Sequence, residues 1–158
     1  SLNSLEGMNF ALSQGDNKMR ATIFEKIVEK KGSVPTLIHP SANVSKYAQL
    51  GRGVVVHMNT VVHPDVTVGD NTVLSYNVSV THSTHIGKNC YLAFGVMLGA
   101  YTIVEDFVFI GIGAIVISGK VDSIGTFASV GAGAVVTKSV ASYECVAGNP
   151  AKFIKTLK

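Results

Sequence analysis

The stretch that decides the fold runs from Val55 to Ala100 and reads VVHMNTVVHPDVTVGDNTVLSYNVSVTHSTHIGKNCYLAFGVMLGA. Every sixth residue in it is Val, Leu or Ile, and the same spacing continues on both sides. The full aliphatic ladder comprises Val44, Leu50, Val56, Val62, Val68, Leu74, Val80, Ile86, Leu92, Leu98, Val104, Ile110 and Val116. A repeat of this length fits neither an α-helix nor a long strand, but it suits a short strand followed by a corner.

A second ladder lies two residues before the first and contains only small or β-branched residues. It comprises Ala42, Ala48, Val54, Thr60, Val66, Thr72, Val78, Thr84, Cys90, Val96, Thr102, Val108 and Ala114. Side chains two apart on a strand point to the same side, so both ladders face one interior. Three such units per turn predict an all-β solenoid over residues 37–140, with slightly over five coils about 4.8 Å apart. Glycines such as Gly51, Gly69 and Gly87 are expected to permit the tight corners.

The regular spacing breaks once, after Val116. The next ladder member is Ile124, two residues later than expected. An insertion kept inside the coil would turn the following interior residues outward, so residues 118–123 are predicted to bulge out as a loop.

The flanks differ from the repeat. In residues 1–36, a possible strand over 9–13 precedes a helix that starts after an N-cap at Asp16 and stops before Gly32. Met19, Ile23 and Ile27 are expected to form its apolar face. Residues 141–158 are predicted to be a tail that packs on the solenoid.

Composition limits the partners and the compartment. The chain has 158 residues, 13 Lys and Arg against 10 Asp and Glu, and 47% hydrophobic residues. This small, unclustered positive charge argues against nucleic acid as a partner. The longest apolar stretch, residues 107–117, is about half a membrane span, so no membrane insertion is expected. Cys90 and Cys145 have no ligand-spaced partners, which fits a reducing, cytoplasmic location, and Cys90 is expected to pack in the core.

The aliphatic ladder, its Ile-Gly and Val-Gly corners and the closing Gly-Asn-Pro-Ala-Lys of residues 148–152 resemble the hexapeptide-repeat acyltransferases. The resemblance implies a left-handed parallel β-helix that works as a homotrimer. More narrowly, the motifs at residues 37–42, 80–83 and 86–87 resemble the sialic acid O-acetyltransferase-like enzymes, which include the bacterial UDP-4-amino-sugar N-acetyltransferases. Residues 1–36 then resemble the last strand and helix of that family's Rossmann-like sugar-nucleotide domain.

The resemblance implies acetyl-CoA as co-substrate, the amine or hydroxyl of a sugar as acceptor, and no metal. The matching general base is His82, which follows interior Val80 by two residues at a corner where a side chain leaves the core. A neutral imidazole with a pKa near 6.5 suits a base at pH 7. Ser83 stands beside it where close relatives place a carboxylate, and it is included in the predicted catalytic set.

The resemblance also implies binding residues. Those predicted to contact CoA are Tyr91, the backbone N–H of Ala100 at the thioester oxygen, Ile112, Ala132, and Lys152 at the phosphates. Those predicted near the acceptor are Ser75, and His85 through its outward position before Ile86.

Two other functions remain open from the sequence. A γ-type carbonic anhydrase-like zinc protein uses the same coil, but its close histidine pair has four intervening residues, whereas His82 and His85 have two. A non-catalytic trimeric scaffold is the other alternative. Of the remaining histidines, His39, ahead of Pro40, is expected to lie in an entry turn, and His57 and His63 are expected to be exposed at corners or to lie at the trimer seam.

Overall fold

The protein is described by a computed structural model that covers residues 4–158. One helix, α1 (Asn17–Glu29), precedes nineteen short strands. The strands are β1 (Leu37–Ile38), β2 (Asn43–Val44), β3 (Gln49–Leu50), β4 (Val55–Val56), β5 (Val61–Val62), β6 (Thr67–Val68), β7 (Val73–Leu74), β8 (Ser79–Val80), β9 (His85–Ile86), β10 (Tyr91–Leu92), β11 (Met97–Leu98), β12 (Ile103–Val104), β13 (Phe109–Ile110), β14 (Ile115–Val116), β15 (Ser123–Ile124), β16 (Ser129–Val130), β17 (Val135–Val136), β18 (Glu144–Ala147) and β19 (Lys152–Thr156).

The strands form three sheets that wrap one interior as the sides of a triangular prism. Sheet 1 has the order β1-β4-β7-β10-β13-β16-β18-β19, sheet 2 contains β2, β5, β8, β11, β14 and β17, and sheet 3 contains β3, β6, β9, β12 and β15. Neighbouring strands in each sheet are parallel except β18 and β19, and Leu37 pairs with Val55, one coil of 18 residues later. We call the corners that follow the strands of sheets 1, 2 and 3 edge 1, edge 2 and edge 3.

The predicted interior is confirmed. In the central coils the first residue of each strand faces outward and the second is buried, with Val62, Leu74 and Ile86 at most 1% exposed. The threonines of the second ladder are also buried, and their hydroxyls donate to backbone carbonyls, as Thr72 does to Gly87 at 2.8 Å. Buried polar atoms thereby keep a hydrogen-bond partner inside an otherwise apolar core.

The solenoid is slightly longer than expected. From β1 to β17 it completes just under six turns, because the strand at Leu37–Ile38 lies one step before Val44, where the counted ladder begins. Among the described residues, no helix is both long and apolar enough to span a bilayer.

The explanation for the corner glycines was wrong in one respect. Gly69 and Gly87 are not left-handed; a β-carbon at Gly69 would lie 2.6 Å from the carbonyl carbon of Gly87 in the next coil. These glycines therefore allow coils to approach closely. The left-handed residue of a corner comes two positions later and is often Asn, as at Asn71 and Asn89, with φ of 59° and 57°. Apart from glycine, residues with a short polar side chain, such as Asn and Asp, tolerate this left-handed conformation best.

The predicted insertion after Val116 is present and lies on edge 2. Ile103 pairs with Ser123, an offset of 20 residues in place of 18, so the interior positions return to register. The turn begins at Ser118, while Val121 is 2% exposed and faces the core. The bulge is therefore shorter than the predicted loop over 118–123.

The helix is confirmed, but its buried face differs from the prediction. Asp16 caps α1 by accepting from the N–H of Met19 at 2.8 Å, yet the Met19 side chain is 53% exposed. The buried residues are Arg20, Ala21, Phe24 and Ile27.

The predicted strand over residues 9–13 is wrong. A single parallel bridge joins Asn9 to Ser33. The pairing stops at this one bridge, since the chain continues from Ser33 into β1, which begins at Leu37.

Arg20 attaches α1 to edge 3. Its guanidinium donates to the carbonyls of Asn71 at 3.1 Å, Asn89 at 3.1 Å and Cys90 at 3.0 Å. Burial lowers the pKa of Arg20, and nearby groups, led by Cys90, partly oppose that effect. The helix thus covers edge 3.

The tail closes the far end of the prism. Strand β18 continues sheet 1 in parallel with β16, and β19 turns back antiparallel to β18. The turn between them contains the Gly-Asn-Pro-Ala motif, so Lys152 is the first residue of the outermost strand.

Candidate functional site

His82 lies exposed on edge 2, two residues after Val80 at the end of β8, as the corner position predicted. Its Nδ1 is 3.3 Å from the hydroxyl oxygen of Ser83. Within residues 4–158, no hydrogen bond engages Nε2 of His82. With the proton on Nδ1, the Nδ1–H can donate to Ser83, and the lone pair of Nε2 is then available to a proton from outside.

Tyr101 contacts His82 from the next coil, and the sequence reasoning missed it. The two ring centroids are 5.3 Å apart and the rings are nearly perpendicular, at 88°. Tyr101 is one coil beyond Ser83, in the column of left-handed corner residues, with φ of 60°. The repeat itself carries the signal that could have found it, because an aromatic residue stands where Asn, Asp or Gly is usual.

Ala100 stacks one coil above His82, as the family resemblance implied. The register of β8 and β11 places Val80 opposite Leu98, so residues 82 and 100 occupy the same place in successive coils. The N–H of Ala100 donates to the hydroxyl of Ser118 at 2.9 Å. The predicted thioester contact therefore requires that hydroxyl to move.

His85 begins β9 and points outward from sheet 3. Its Nδ1 is hydrogen-bonded to the hydroxyl of Thr67 in the preceding coil. Its side chain therefore interacts with sheet 3, and among residues 4–158 no contact joins it to His82.

The other predicted binding residues are not on edge 2. Ser75, Ile112 and Ala132 lie on edge 1. Ile112 is 58% exposed, whereas Ser75 is 1% exposed and its hydroxyl has no partner within residues 4–158. One chain therefore cannot bring these side chains to His82, because they occupy a different corner of the prism.

Tyr91 and Lys152 are separated from His82 as well. Tyr91 lies on the outer face of sheet 1, where its ring stacks on Phe109 at 5.9 Å and lies 5.9 Å from the guanidinium of Arg20. Lys152 borders a cleft of about 290 Å³ at the far end of the prism, together with Lys138 and Phe153.

Two well-formed clefts of the chain lie away from His82. Two clefts of about 450 Å³ each lie where α1 meets edge 3; one includes Phe107 and Phe127, and the other Phe24 and Arg52. On edge 2 a shallower depression of about 200 Å³ includes His63 and Pro64, one coil before His82. The two clefts of about 450 Å³ therefore lie at edge 3, whereas the predicted catalytic residues His82 and Ser83 lie on edge 2.

Burial in the fold shifts the pKa values of His57 and Cys90. Burial lowers the pKa of His57, with a smaller contribution from His39. Burial raises the pKa of the Cys90 thiol to about 12, which confirms its packing role. Within residues 4–158, no three His, Cys, Asp or Glu side chains come together in a way that could hold a metal ion.

Comparisons with known proteins agree with this geometry. The family pattern described as bacterial transferase hexapeptide (six repeats) matches residues 47–82. A histidine-to-alanine variant of GDP-perosamine N-acetyltransferase from Caulobacter crescentus, solved with CoA and GDP-perosamine, is 32% identical and has a TM-score of 0.91, covering 94% of this chain and 70% of that one. This chain belongs to the hexapeptide-repeat acyltransferases. Its prism is accordingly a left-handed parallel β-helix, as the resemblance implied.

Two further hexapeptide-repeat enzymes are similar over the same range. The acetyltransferase domain of PglB from Neisseria gonorrhoeae, in complex with acetyl coenzyme A, is 29% identical, covers 92% of this chain and 70% of that one, and has a TM-score of 0.89. WeeI from Acinetobacter baumannii is 25% identical, with the same coverage and TM-score. A search of curated protein sequences found no match.

Proposed function

We propose that this protein transfers the acetyl group of acetyl-CoA to an amine or hydroxyl of a nucleotide-linked sugar, with His82 as general base. The observation that carries the proposal is the exposed imidazole on edge 2, with Nδ1 beside Ser83 and Nε2 unengaged within residues 4–158. The ligands of the solved relatives, CoA with GDP-perosamine and acetyl coenzyme A, support this substrate pair.

The proposed step is a direct transfer. The acceptor nitrogen or oxygen attacks the thioester carbonyl while Nε2 of His82 takes its proton, and the carbon–sulfur bond then breaks. The proton passes from His82 to the leaving thiolate, which restores the neutral imidazole and releases CoA. General-base help of this kind is typically worth ~10²–10⁴ in rate. No covalent acyl-enzyme is required.

Ser83 is proposed to keep His82 in the productive tautomer. A hydroxyl at 3.3 Å can accept from Nδ1–H, which directs the basic lone pair of Nε2 outward. It carries no charge, so it orients the ring without the electrostatic stabilisation that a carboxylate gives to an imidazolium.

A homotrimer is proposed because the site residues occupy two edges. Ile112 and Ala132 on edge 1 are proposed to line the pantetheine arm, and Ala100 on edge 2 to contact the thioester, yet one prism holds these edges apart. A ring of three chains can place edge 1 of each against edge 2 of the next. Edge 1 also exposes Met58, Phe94 and Ile112 at 41%, 47% and 58%, an apolar surface suited to such contact.

The remaining roles complete the proposal. Lys152 would meet CoA phosphates as a cation at the exposed start of β19, and Tyr91 and His85 would act at the margins of the CoA and acceptor sites. The enzyme is proposed to act in the cytoplasm. Light scattering during gel filtration tests the trimer, and a monomer at assay concentration would contradict the shared site.

The central experiment compares two histidine variants with the wild type, using acetyl-CoA with GDP-perosamine and then other nucleotide-linked amino sugars. His82→Ala is expected to lower kcat by about 10²–10⁴ without changing the circular dichroism spectrum. His39→Ala is the control, because His39 is also exposed but lies on edge 1 and bonds Ser41. Unchanged turnover in His82→Ala would remove His82 from the mechanism.

A further inference from the structure

Four aromatic residues occupy left-handed corner positions, where such side chains are unfavourable. They are Tyr101, Phe107, Phe127 and Tyr143, with φ between 59° and 63°. A bulky residue in the left-handed region of φ and ψ indicates either that surrounding packing holds the backbone there or that function requires the side chain.

Three of the four have a packing explanation. On edge 3, Phe107 stacks on Phe127 with 4.6 Å between ring centroids, and Phe127 stacks on Tyr143 at 5.2 Å. Lys18 of α1 lies 5.3 Å from the ring centroid of Phe127 and adds a cation–π contact. These rings therefore support one another from coil to coil.

Tyr101 has no such support. It is 69% exposed, and within residues 4–158 the ring it contacts is that of His82. The other left-handed residues of its column are short, with Asp65 and Ser83 before it and Gly119 after it. Stacking on other corner residues therefore does not account for an aromatic side chain at position 101, whereas contact with the His82 ring does.

The backbone around this pair also departs from the repeat. At most corners the left-handed residue donates its N–H to the carbonyl one coil below, as Asn89 does to Asp70 and Phe107 does to Lys88, both at 2.9 Å. Over residues 4–158, Tyr101 makes no such bond to the carbonyl of His82, and neither Asp65 nor Gly119 of the same column makes one to the coil below it. The ring contact therefore joins His82 and Tyr101 directly, beside the hydrogen bond from the Thr84 hydroxyl to the carbonyl of Gly99 that links the same two corners.

We propose that Tyr101 is a positioning residue, whose ring limits the rotation of the His82 imidazole and holds Nε2 toward the acceptor. The inference rests on the proposed function of His82. A nearly perpendicular arrangement at 5.3 Å is a favourable aromatic geometry, and it restricts the two side-chain torsions that aim the base. Small errors in the placement of a catalytic group reduce rate more than they reduce substrate binding.

The test uses Tyr101→Asn and Tyr101→Phe. Asn suits a left-handed backbone, so Tyr101→Asn is expected to keep or raise the melting temperature while kcat falls roughly 10- to 100-fold and KM for acetyl-CoA stays the same. Tyr101→Phe keeps the ring and is expected to retain the wild-type kcat. A purely structural role predicts the opposite, a lower melting temperature with a proportionate loss of active protein.

The matched control is Tyr47→Asn. Tyr47 is also on edge 2, three coils earlier in the repeat, and is 62% exposed. Its backbone is not left-handed, and within residues 4–158 its ring contacts Lys46 and not His82. It is expected to leave kcat unchanged. Wild-type kcat in Tyr101→Asn, or a loss in Tyr101→Phe equal to that in Tyr101→Asn, would overturn the proposal.

A spectroscopic readout separates this inference from the proposed function. The Cε1–H resonance of His82, assigned by its loss in His82→Ala, is shifted by the adjacent ring, so it should move in Tyr101→Asn and stay in Tyr101→Phe. If the wild type acetylated neither an amine nor a hydroxyl of any nucleotide-linked sugar tested, the proposed function would fail, and so would the role of Tyr101 in positioning the base. An unmoved resonance in Tyr101→Asn would refute the contact itself.

Discussion

The backbone N–H of Ala100 donates to the hydroxyl of Ser118 at 2.9 Å, across one coil boundary on edge 2. Edge 3 has two equivalent contacts, in which the N–H of Arg52 donates to Asp70 at 2.8 Å and that of Lys88 donates to Asp106 at 2.7 Å. A side chain of the next coil thus satisfies a corner N–H in each case. On edge 2, however, the covered N–H is the proposed donor to the thioester oxygen.

Ser118 is therefore expected to compete with acetyl-CoA for that N–H. Ser118→Ala uncovers the donor and should raise kcat/KM for acetyl-CoA a few-fold. Ser118→Asn supplies an acceptor that holds the N–H more firmly and should lower kcat by up to about 10², the typical effect of losing one oxyanion donor. Affinity for CoA, which lacks the carbonyl, should change little when measured by calorimetry.

Asp106→Asn serves as the control, because it keeps an acceptor over the N–H of Lys88 on the edge away from His82. It is expected to leave both kcat and CoA affinity unchanged. Equal kcat values in the wild type, Ser118→Ala and Ser118→Asn would show that the N–H of Ala100 takes no part in transfer.

These contacts also show why the sequence predicted the interior better than the site. The ladder from Val62 to Ile86 could be identified because each unit repeats the same buried environment at the same spacing. The pairs Ala100–Ser118 and His82–Tyr101 join outward side chains one coil apart, where composition is free to vary. Their meaning depends on the register between coils, which becomes visible only in the folded prism.

Arg20 shows the same limit in the helix. A charged residue on the buried side of an amphipathic pattern contradicts the periodicity, and the prediction placed Met19 there instead. The partners of Arg20 are backbone carbonyls at Asn71, Asn89 and Cys90, which carry no residue-specific signal. Only the packing of α1 against edge 3 brings them together.

Arg20→Met is accordingly predicted to destabilise the protein. It removes the Arg20 donor from the carbonyls of Asn71 and Asn89, whereas the carbonyl of Cys90 keeps the N–H of Val73. At ~1–3 kcal/mol for each unsatisfied group, a loss of at least about 2 kcal/mol is expected in urea unfolding. Lys26→Met on the exposed side of α1 is the control and should change the unfolding free energy by less than about 0.5 kcal/mol. Similar losses in both variants would mean that Arg20 does not hold the helix in place.

The alternation along β8 predicts opposite effects for neighbouring residues. Val80 is 0% exposed, so Val80→Asp places an unpaired carboxylate in the core and should cost more than about 4 kcal/mol, enough to unfold the solenoid. Leu92→Asp should do the same. Ser79→Asp, on the outer face of the same strand, should keep a β-sheet circular dichroism spectrum. A folded Val80→Asp variant would contradict the inward ladder.

Glu105 gives the protein a predicted acid dependence. The hydroxyl and the N–H of Thr126 each donate to its carboxylate at 2.7 Å, and these two bonds lower its pKa below the ordinary value of 4.5, against a small opposing effect of burial. A lowered pKa in the folded state stabilises the protein above pH 4.5, and the stabilisation disappears as pH falls through the folded value. Because the group is exposed, the effect should be less than about 1 kcal/mol.

Glu105→Gln should therefore unfold at a lower urea concentration than the wild type at pH 7 and at nearly the same concentration at pH 3. Glu25→Gln is the control, because Glu25 is exposed on α1 and makes no side-chain hydrogen bond within residues 4–158. It should shift the midpoint equally at both pH values. A difference between wild type and Glu105→Gln that persisted at pH 3 would show that the carboxylate charge is not what Thr126 stabilises.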